Sequence, residues 1–249
     1  MLTRAWPLPA GLVLLALSSA CAQPLDAQPR IAMDAPSWTL ESTSNGVAIY
    51  SSHALGTAIV PFKAVMTIPG TIEEVSTVLE DVPRRHEWIA HFGMSVVLAR
   101  PNDYDQTEYL RVAMPWPVAD RSTLIRVRIA VSDDQRTATI AAESVESHPA
   151  DTLPLLVRAQ VYTSTFQMTQ VGDHVEVASL VFIDPRGRIP TWVVNYFTSR
   201  VARTTLEGLR RQVARELYPR DKLDAMKRRI AGYAAFKDRA GNTSPADGR

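Results

Sequence analysis

Ile189-Pro190-Thr191-Trp192-Val193-Val194-Asn195-Tyr196-Phe197 opens a run that continues without another proline to Leu217 and Tyr218, where Pro219 closes it. Pro190 stands where a first-turn proline fits, because its missing N–H would have no helical partner there. Projected at helical pitch, Val193, Val194, Phe197, Val201 and Thr205 share one face. Further on, the apolar stripe moves round to Ala202, Leu206, Leu209, Val213 and Leu217, with Arg200, Arg203, Glu207 and Arg210 on the opposite arc. The spacing predicts one helix over Thr191–Leu217 whose two halves cover different surfaces. An apolar face this long needs a large partner, and the chain before it is almost all strand-like.

Those strands read in order. Gly46–Ser51 follows an Asn45-Gly46 turn, and Gly56–Ile68 carries Phe62 as a core candidate. Trp38 and Leu40 are read as a short helix or turn. Thr71, with Glu74 three residues on, has capping-box spacing and starts a helix to Leu79. A short helical turn follows Pro83, with Trp88 inward. From Met94 the chain is strand again: Met94–Leu98, Gln106–Met114, Ser122–Ser132, Arg136–Glu143, Arg158–Met168 and Val175–Phe182 alternate or are rich in β-branched residues. This order favours an α+β fold, a curved antiparallel sheet gripping a long C-terminal helix.

The 249 residues include 27 Lys and Arg against 26 Asp and Glu, a formal charge of +1. Such balance carries no general attraction for nucleic acid, so no nucleic-acid partner is expected. Residues 1–22 have the form of an export signal: Arg4, the apolar run Gly11–Leu17, and the small residues Ser18 to Ala22. Cleavage before Gln23 gives a soluble periplasmic or secreted protein; cleavage before Cys21 gives a lipoprotein, and both remain open. Cys21 is the one cysteine, so no disulfide is expected in the mature domain. The expected organisation is a signal peptide over 1–22, a polar spacer over 23–36, one domain over 37–219, and a basic helical tail with a disordered end over 220–249. In that tail Leu223, Met226, Ile230 and Tyr233 form a narrow stripe, read as a solvated helix docked lightly on the domain, with a membrane-surface role as the alternative.

Four ordered features carry a resemblance. Pro115-Trp116-Pro117-Val118-Ala119-Asp120-Arg121 closely resembles the Pro-Trp-Pro run of START domains, the StAR-related lipid-transfer family. Asp184-Pro185-x-Gly187-x-Ile189-Pro190-x-Trp192-x-x-Asn195 is similar to that family's approach to its last helix. Val78-Leu79-x-Asp81 before Trp88, and Val157-Arg158 before a strand, fit the same order. The resemblance covers Trp38 to Tyr218. It implies a helix-grip fold around a deep cavity that holds one lipid or other apolar molecule, roofed by the helix and by a loop at His148–Leu156. In that loop Leu153, Leu155 and Leu156 would form an apolar gate, or else pack plainly against the helix.

The cavity wall is then expected to include Phe62, Val112, Met114, Val127, Tyr162, Phe166, Phe197 and Val201, with Glu108, Arg121 and Arg158 as polar selectors. Glu108 shares the inward phase of Leu110, Val112 and Met114, so it must be paired, protonated or wet. Some family members oppose an inward acid with an inward arginine. Here that position is Val127, because Arg126 and Arg128 point outward. Trp116 is a candidate wedge under its proline-flanked turn. No cofactor and no metal site is expected, and the histidines, His86 and His91 included, read as surface or helix-end residues. The sequence contains no nucleophile elbow, zincin motif or phosphate loop. The expected protein is a monomeric, non-enzymatic carrier that touches membranes transiently. A cyclase- or hydrolase-type enzyme using Glu108 and a nearby tyrosine, or a chaperone-like binder, is the alternative.

Overall fold

The computed structural model describes residues 29–149 and 156–242. Period-two alternation shapes the first layer. In β2 (Val47–Ser51) and β3 (Phe62–Pro69), Val47, Ile49, Phe62, Ala64, Met66 and Ile68 are buried, and the residues between them are not. β1 (Thr39–Ser44) is exposed throughout and pairs with β2. The short helix or turn expected at Trp38 and Leu40 is therefore absent. Asn45 and Gly46, with φ of +52° and +74°, make a two-residue turn that folds this segment back as a hairpin.

Long antiparallel strands follow: β4 (Phe92–Asn102), β5 (Asp105–Val112), β6 (Arg121–Val131), β7 (Thr137–Ser144), β9 (Gln160–Val171) and β10 (His174–Asp184). β10 returns to β3, giving the order β1-β2-β3-β10-β9-β7-β6-β5-β4 in one sheet. A two-residue strand, β8 (Val157–Arg158), pairs in parallel with the start of β6. Between β3 and β4 lie α1 (Ile72–Glu80) and a 3-10 helix (Val82–Glu87). α1 begins as its spacing predicts, with Thr71 and Glu74 exchanging side-chain and backbone hydrogen bonds.

α2 (Thr191–Val213) lies across the sheet. Its second half buries Ala202, Leu206 and Leu209 in a core shared with β2, β3, α1 and Trp88. Its opposite arc grips the β1–β2 hairpin: Arg203 donates to the Ser44 and Val47 carbonyls, and Arg210 to the Asn45 carbonyl. The helix stops four residues short of Leu217. Arg215 turns aside to donate to Glu87 at 2.5 Å, and Glu216, with φ of +49°, redirects the chain.

α3 (Arg220–Asn242) is held more firmly than a lightly docked tail. Met226 and Ile230 enter the main core, Arg229 pairs with Glu80 at 2.5 Å, and the Tyr104 hydroxyl donates to the Arg229 carbonyl at 2.8 Å. The Tyr104 ring packs on Tyr233 and Phe236. α3 thereby covers the sheet at its β4–β5 turn, the end away from the β5–β6 loop. The segment read as a spacer also touches the sheet where it is described: Arg30 pairs with Glu143 on β7, and Lys63 on β3 donates to the Met33 carbonyl.

Candidate functional site

The first half of α2 does not pack on the core. Beneath it lies a cavity of about 300 Å³, at the lower end of the range for small-molecule sites. Val193, Val194, Phe197, Val201 and Thr205 roof it, and Ile125, Val127, Ile140 and Phe166 form its sheet wall. The shift of the apolar stripe along α2 marks the boundary: Val193, Val194, Phe197, Val201 and Thr205 face the hollow, and Ala202, Leu206 and Leu209 are core.

The inner end of the cavity is closed by buried Leu79, Trp88 and Thr205. Its outer end meets solvent beside His91, Met114, Pro115 and Val193. His91 is exposed, as a surface residue should be, but its φ of +58° turns the ring to within 4.6 Å of Phe197 across the mouth. Among the expected selectors and wall residues, Val112, Met114, Arg121, Val127, Phe166, Phe197 and Val201 do line the cavity.

Others do not. Phe62 belongs to the solid core with Val47 and Met66. The reading that puts Tyr162 in the wall fails at a β-bulge: Phe182 pairs with Thr163 and Ile183 with Val161, leaving Tyr162 as the extra residue. The bulge resets the alternation, so Val161 and Ser164 turn inward while Tyr162 stacks on Phe182 and borders an outer groove with Arg128 and Glu143. Arg158 sits on β8, and it is the following Ala159 that faces the cavity. Leu156 is half-buried and not part of the lining; Leu153, Leu155 and most of the expected gate lie outside the described residues. Trp116 is no wedge, being 92% exposed.

Glu108 is fully buried and paired, with a partner no strand phase predicts. Arg85, on the 3-10 helix, donates from Nη1 to Oε2 at 2.5 Å and from Nη2 to Oε1 at 3.3 Å. Ser95 donates to Oε2 at 2.6 Å, and Gln106 to Oε1. Burial alone would push the carboxyl up, but the charge of Arg85 and these hydrogen bonds outweigh it and hold Glu108 below its ordinary value. Arg85 lines the cavity; the carboxylate is shielded behind it.

The proline-flanked loop has a mechanical logic. Asp120 closes it, accepting from Met114 N at 3.0 Å and from Arg111 Nε at 2.8 Å. The neighbouring Arg121, 5% exposed, spends its guanidinium on backbone: it donates to the Pro185, Arg186 and Ala119 carbonyls. It thus ties the β5–β6 loop to the segment leading into α2. Asn195 makes the third tie, accepting from Val60 N and donating to the Ala58 carbonyl.

The START domain family model matches residues 26–217. The chain belongs to the START domain family. A protein of Pseudomonas aeruginosa described as uncharacterized is 27% identical over 177 residues, which is 71% of this chain and 86% of that protein. Human StAR-related lipid transfer protein 5 superposes with a TM-score of 0.67 at 17% identity, over 74% of this chain and 90% of its own. Human STARD10 gives 0.65 at 21% identity, over 77% and 78%. A STAR-related lipid transfer protein from Xanthomonas axonopodis gives 0.62 at 23% identity, over 72% and 99%. At these identities the likeness to the solved structures is one of fold. Of Asp120, Arg121 and Asn195, quoted for the START resemblance, Arg121 lines the cavity, while Asp120 braces the β5–β6 loop and Asn195 ties α2 to the Ala58–Val60 segment. α3 lies beyond the matched segment.

Proposed function

We propose that this START protein binds one lipid or comparably apolar molecule beneath α2 and carries it between membrane surfaces. The observation that carries the proposal is the hollow itself: α2 turns Val193, Phe197 and Val201 toward space that the protein's own side chains do not fill. An apolar guest buried there gains about 25 cal/mol per Å² of surface removed from water. The names of the human protein 5 and of the Xanthomonas protein, both lipid transfer proteins, support the same reading.

Delivery uses the mouth. Trp116, Trp192 and Tyr196 are exposed by 92%, 72% and 59%, and they flank the lining residues Pro115 and Val193. Amphipathic aromatic rings favour the membrane–water interface, so these three would seat the mouth on a bilayer. The loop over His148–Leu156 would move aside there, opening a path beside α2. Residues 1–22 would direct the chain out of the cytoplasm.

Binding rather than catalysis fits Glu108 best. Its carboxylate is held charged and its oxygens are engaged by Arg85, Ser95 and Gln106, which leaves it poorly placed to donate a proton. Mass spectrometry of organic extracts from the protein purified out of its own host tests the proposal. One apolar species in near-stoichiometric amount is expected. An empty extract, together with failure to take up any fluorescent apolar probe, would overturn it.

A further inference from the structure

The chain as a whole is nearly neutral, yet its charge is unevenly placed. Three segments supply lining residues at the mouth: 90–94, 110–121 and 184–200. Backbone contacts hold them together. Ala113 N donates to the His91 carbonyl, and Arg121 joins the second segment to the third through the Pro185 and Arg186 carbonyls. These segments contain five arginines and two aspartates, which out of 27 and 26 leaves 22 basic and 24 acidic residues elsewhere. The mouth is the positive pole of a chain whose remainder is slightly negative.

The excess lies on the outside. Asp120 is paired with Arg111, and the half-buried Asp184 accepts from Arg186 N. Arg186, Arg188 and Arg200 are exposed, and none of the three forms an ion pair among the described residues. On α2 the exposed Trp192, Tyr196 and Arg200 follow one another at four-residue spacing, which makes them one ridge. The Arg200 guanidinium lies 5.5 Å from the centre of the Tyr196 ring and donates to its hydroxyl at 3.0 Å. The next row round the helix, Val193, Phe197 and Val201, roofs the cavity. Arg186 and Arg188 belong to the loop that Arg121 fastens to the loop of Trp116.

We propose that this rim selects its membrane by charge, docking the mouth on bilayers whose exposed headgroups are anionic phospholipids. The inference rests on the carrier reading above and names the kind of surface it serves. An acidic leaflet carries a negative potential that attracts cations within a Debye length, roughly 8 Å at physiological ionic strength. Guanidinium groups beside interfacial aromatic rings reach the depth of the phosphates, whose oxygens they match in pairs. A zwitterionic leaflet gives the rings an interface but gives the arginines no net field. The slightly negative remainder of the protein is turned away by the same field, so the molecule approaches mouth first. The rival basic surface is α3, where Lys227 and Arg228 are exposed, on the helix that covers the β4–β5 turn.

Vesicles of phosphatidylcholine alone, or of phosphatidylcholine with phosphatidylglycerol, are mixed with the purified full chain and the bound fraction is read by flotation. Tighter binding to the acidic vesicles is expected, with the difference vanishing near 1 M salt, where the screening length is about 3 Å. Arg186→Gln, Arg188→Gln and Arg200→Gln together should weaken binding to acidic vesicles by about fivefold per arginine and leave binding to neutral ones unchanged. Lys227→Gln with Arg228→Gln should bind as the parent does. All five side chains are exposed. Should the triple variant still fail to fold, Arg188→Gln alone must show its single share.

Equal binding of the parent to the two vesicle types would overturn selection by charge and leave the carrier intact. A loss in the α3 variant, with the rim variant binding as the parent does, would also overturn the mouth as the charged surface. The carrier reading is followed separately, by passage of a fluorescent apolar probe from donor to acceptor vesicles. Charge-dependent docking with no passage of any probe would overturn that reading instead.

Discussion

Gly208 lies so close to the backbone of Trp88 that a methyl carbon added to it would stand 2.2 Å from the Trp88 carbonyl oxygen. Both partners of the contact are main chain, so no side-chain rotation relieves it. In a helix interior alanine is ordinarily favoured over glycine by about 1 kcal/mol. Here an overpacking cost of about 1–3 kcal/mol opposes that gain. Gly208→Ala is expected to lower the urea midpoint and to displace α2 from Trp88. A raised midpoint would show that the approach is looser than described.

The Arg85–Glu108 pair should be intolerant of half-measures. Arg85→Met leaves a buried carboxylate uncompensated and is expected to cost about 3–5 kcal/mol. Replacing both, as Arg85→Met with Glu108→Leu, should recover much of that loss. Denaturant unfolding of the two singles and the double measures the coupling, and additive losses would mean that the groups do not depend on each other.

Acid should find the same pair. Glu108 has a folded pKa below its unfolded one, so its contribution is complete above the unfolded value of about 4.3 and fades as pH falls through the folded value. Glu80 runs the other way: burial raises its carboxyl against the opposing charge of Arg229, so its contribution is largest in acid and declines as pH rises through that raised value. Stability measured from pH 6 downward should drop below about pH 4. Glu108→Gln should flatten that limb specifically; an unaltered limb would remove Glu108 as its source.

α3 is expected to be part of the folding unit. Ile230 is 7% exposed within the main core, so Ile230→Ala should cost about 2 kcal/mol or more. A loss under about 0.5 kcal/mol, the level of ordinary surface changes, would return α3 to the status of an appendage.

The exposed aromatics separate docking from folding. Trp116→Ala with Trp192→Ala should leave stability within about 0.5 kcal/mol, because neither ring is buried. Vesicle association and the rate of probe exchange between vesicles should both fall. Undiminished exchange would remove the mouth from the docking surface.

Much of this architecture was legible because it is periodic. The capping pair Thr71 and Glu74, the alternation through β3 and β6, and the drifting stripe of α2 are regular patterns, and each became an element with the expected faces. What escaped was the irregular part. The bulge at Tyr162 leaves no composition signal, yet it reverses the phase on which an inward Tyr162 depends. The partner of Glu108 lies 23 residues away on a 3-10 turn, where strand phase says nothing about direction. Thr205 could be placed on the right face, but that its hydroxyl finds no partner among the described residues is a property of the folded chain alone.

α2 is one continuous rod, pinned near its start by Asn195 and clamped at its root among Val75, Val78 and Leu79, with a span over Val127 and Phe166 between the two. Such a bridge links two properties that are usually tuned apart. Whatever softens the root at Ala202, Leu206 or Leu209 lets the span flex more, so faster loading and an earlier melt should arrive together. Variants selected for heat resistance at those positions would be expected to exchange their cargo slowly.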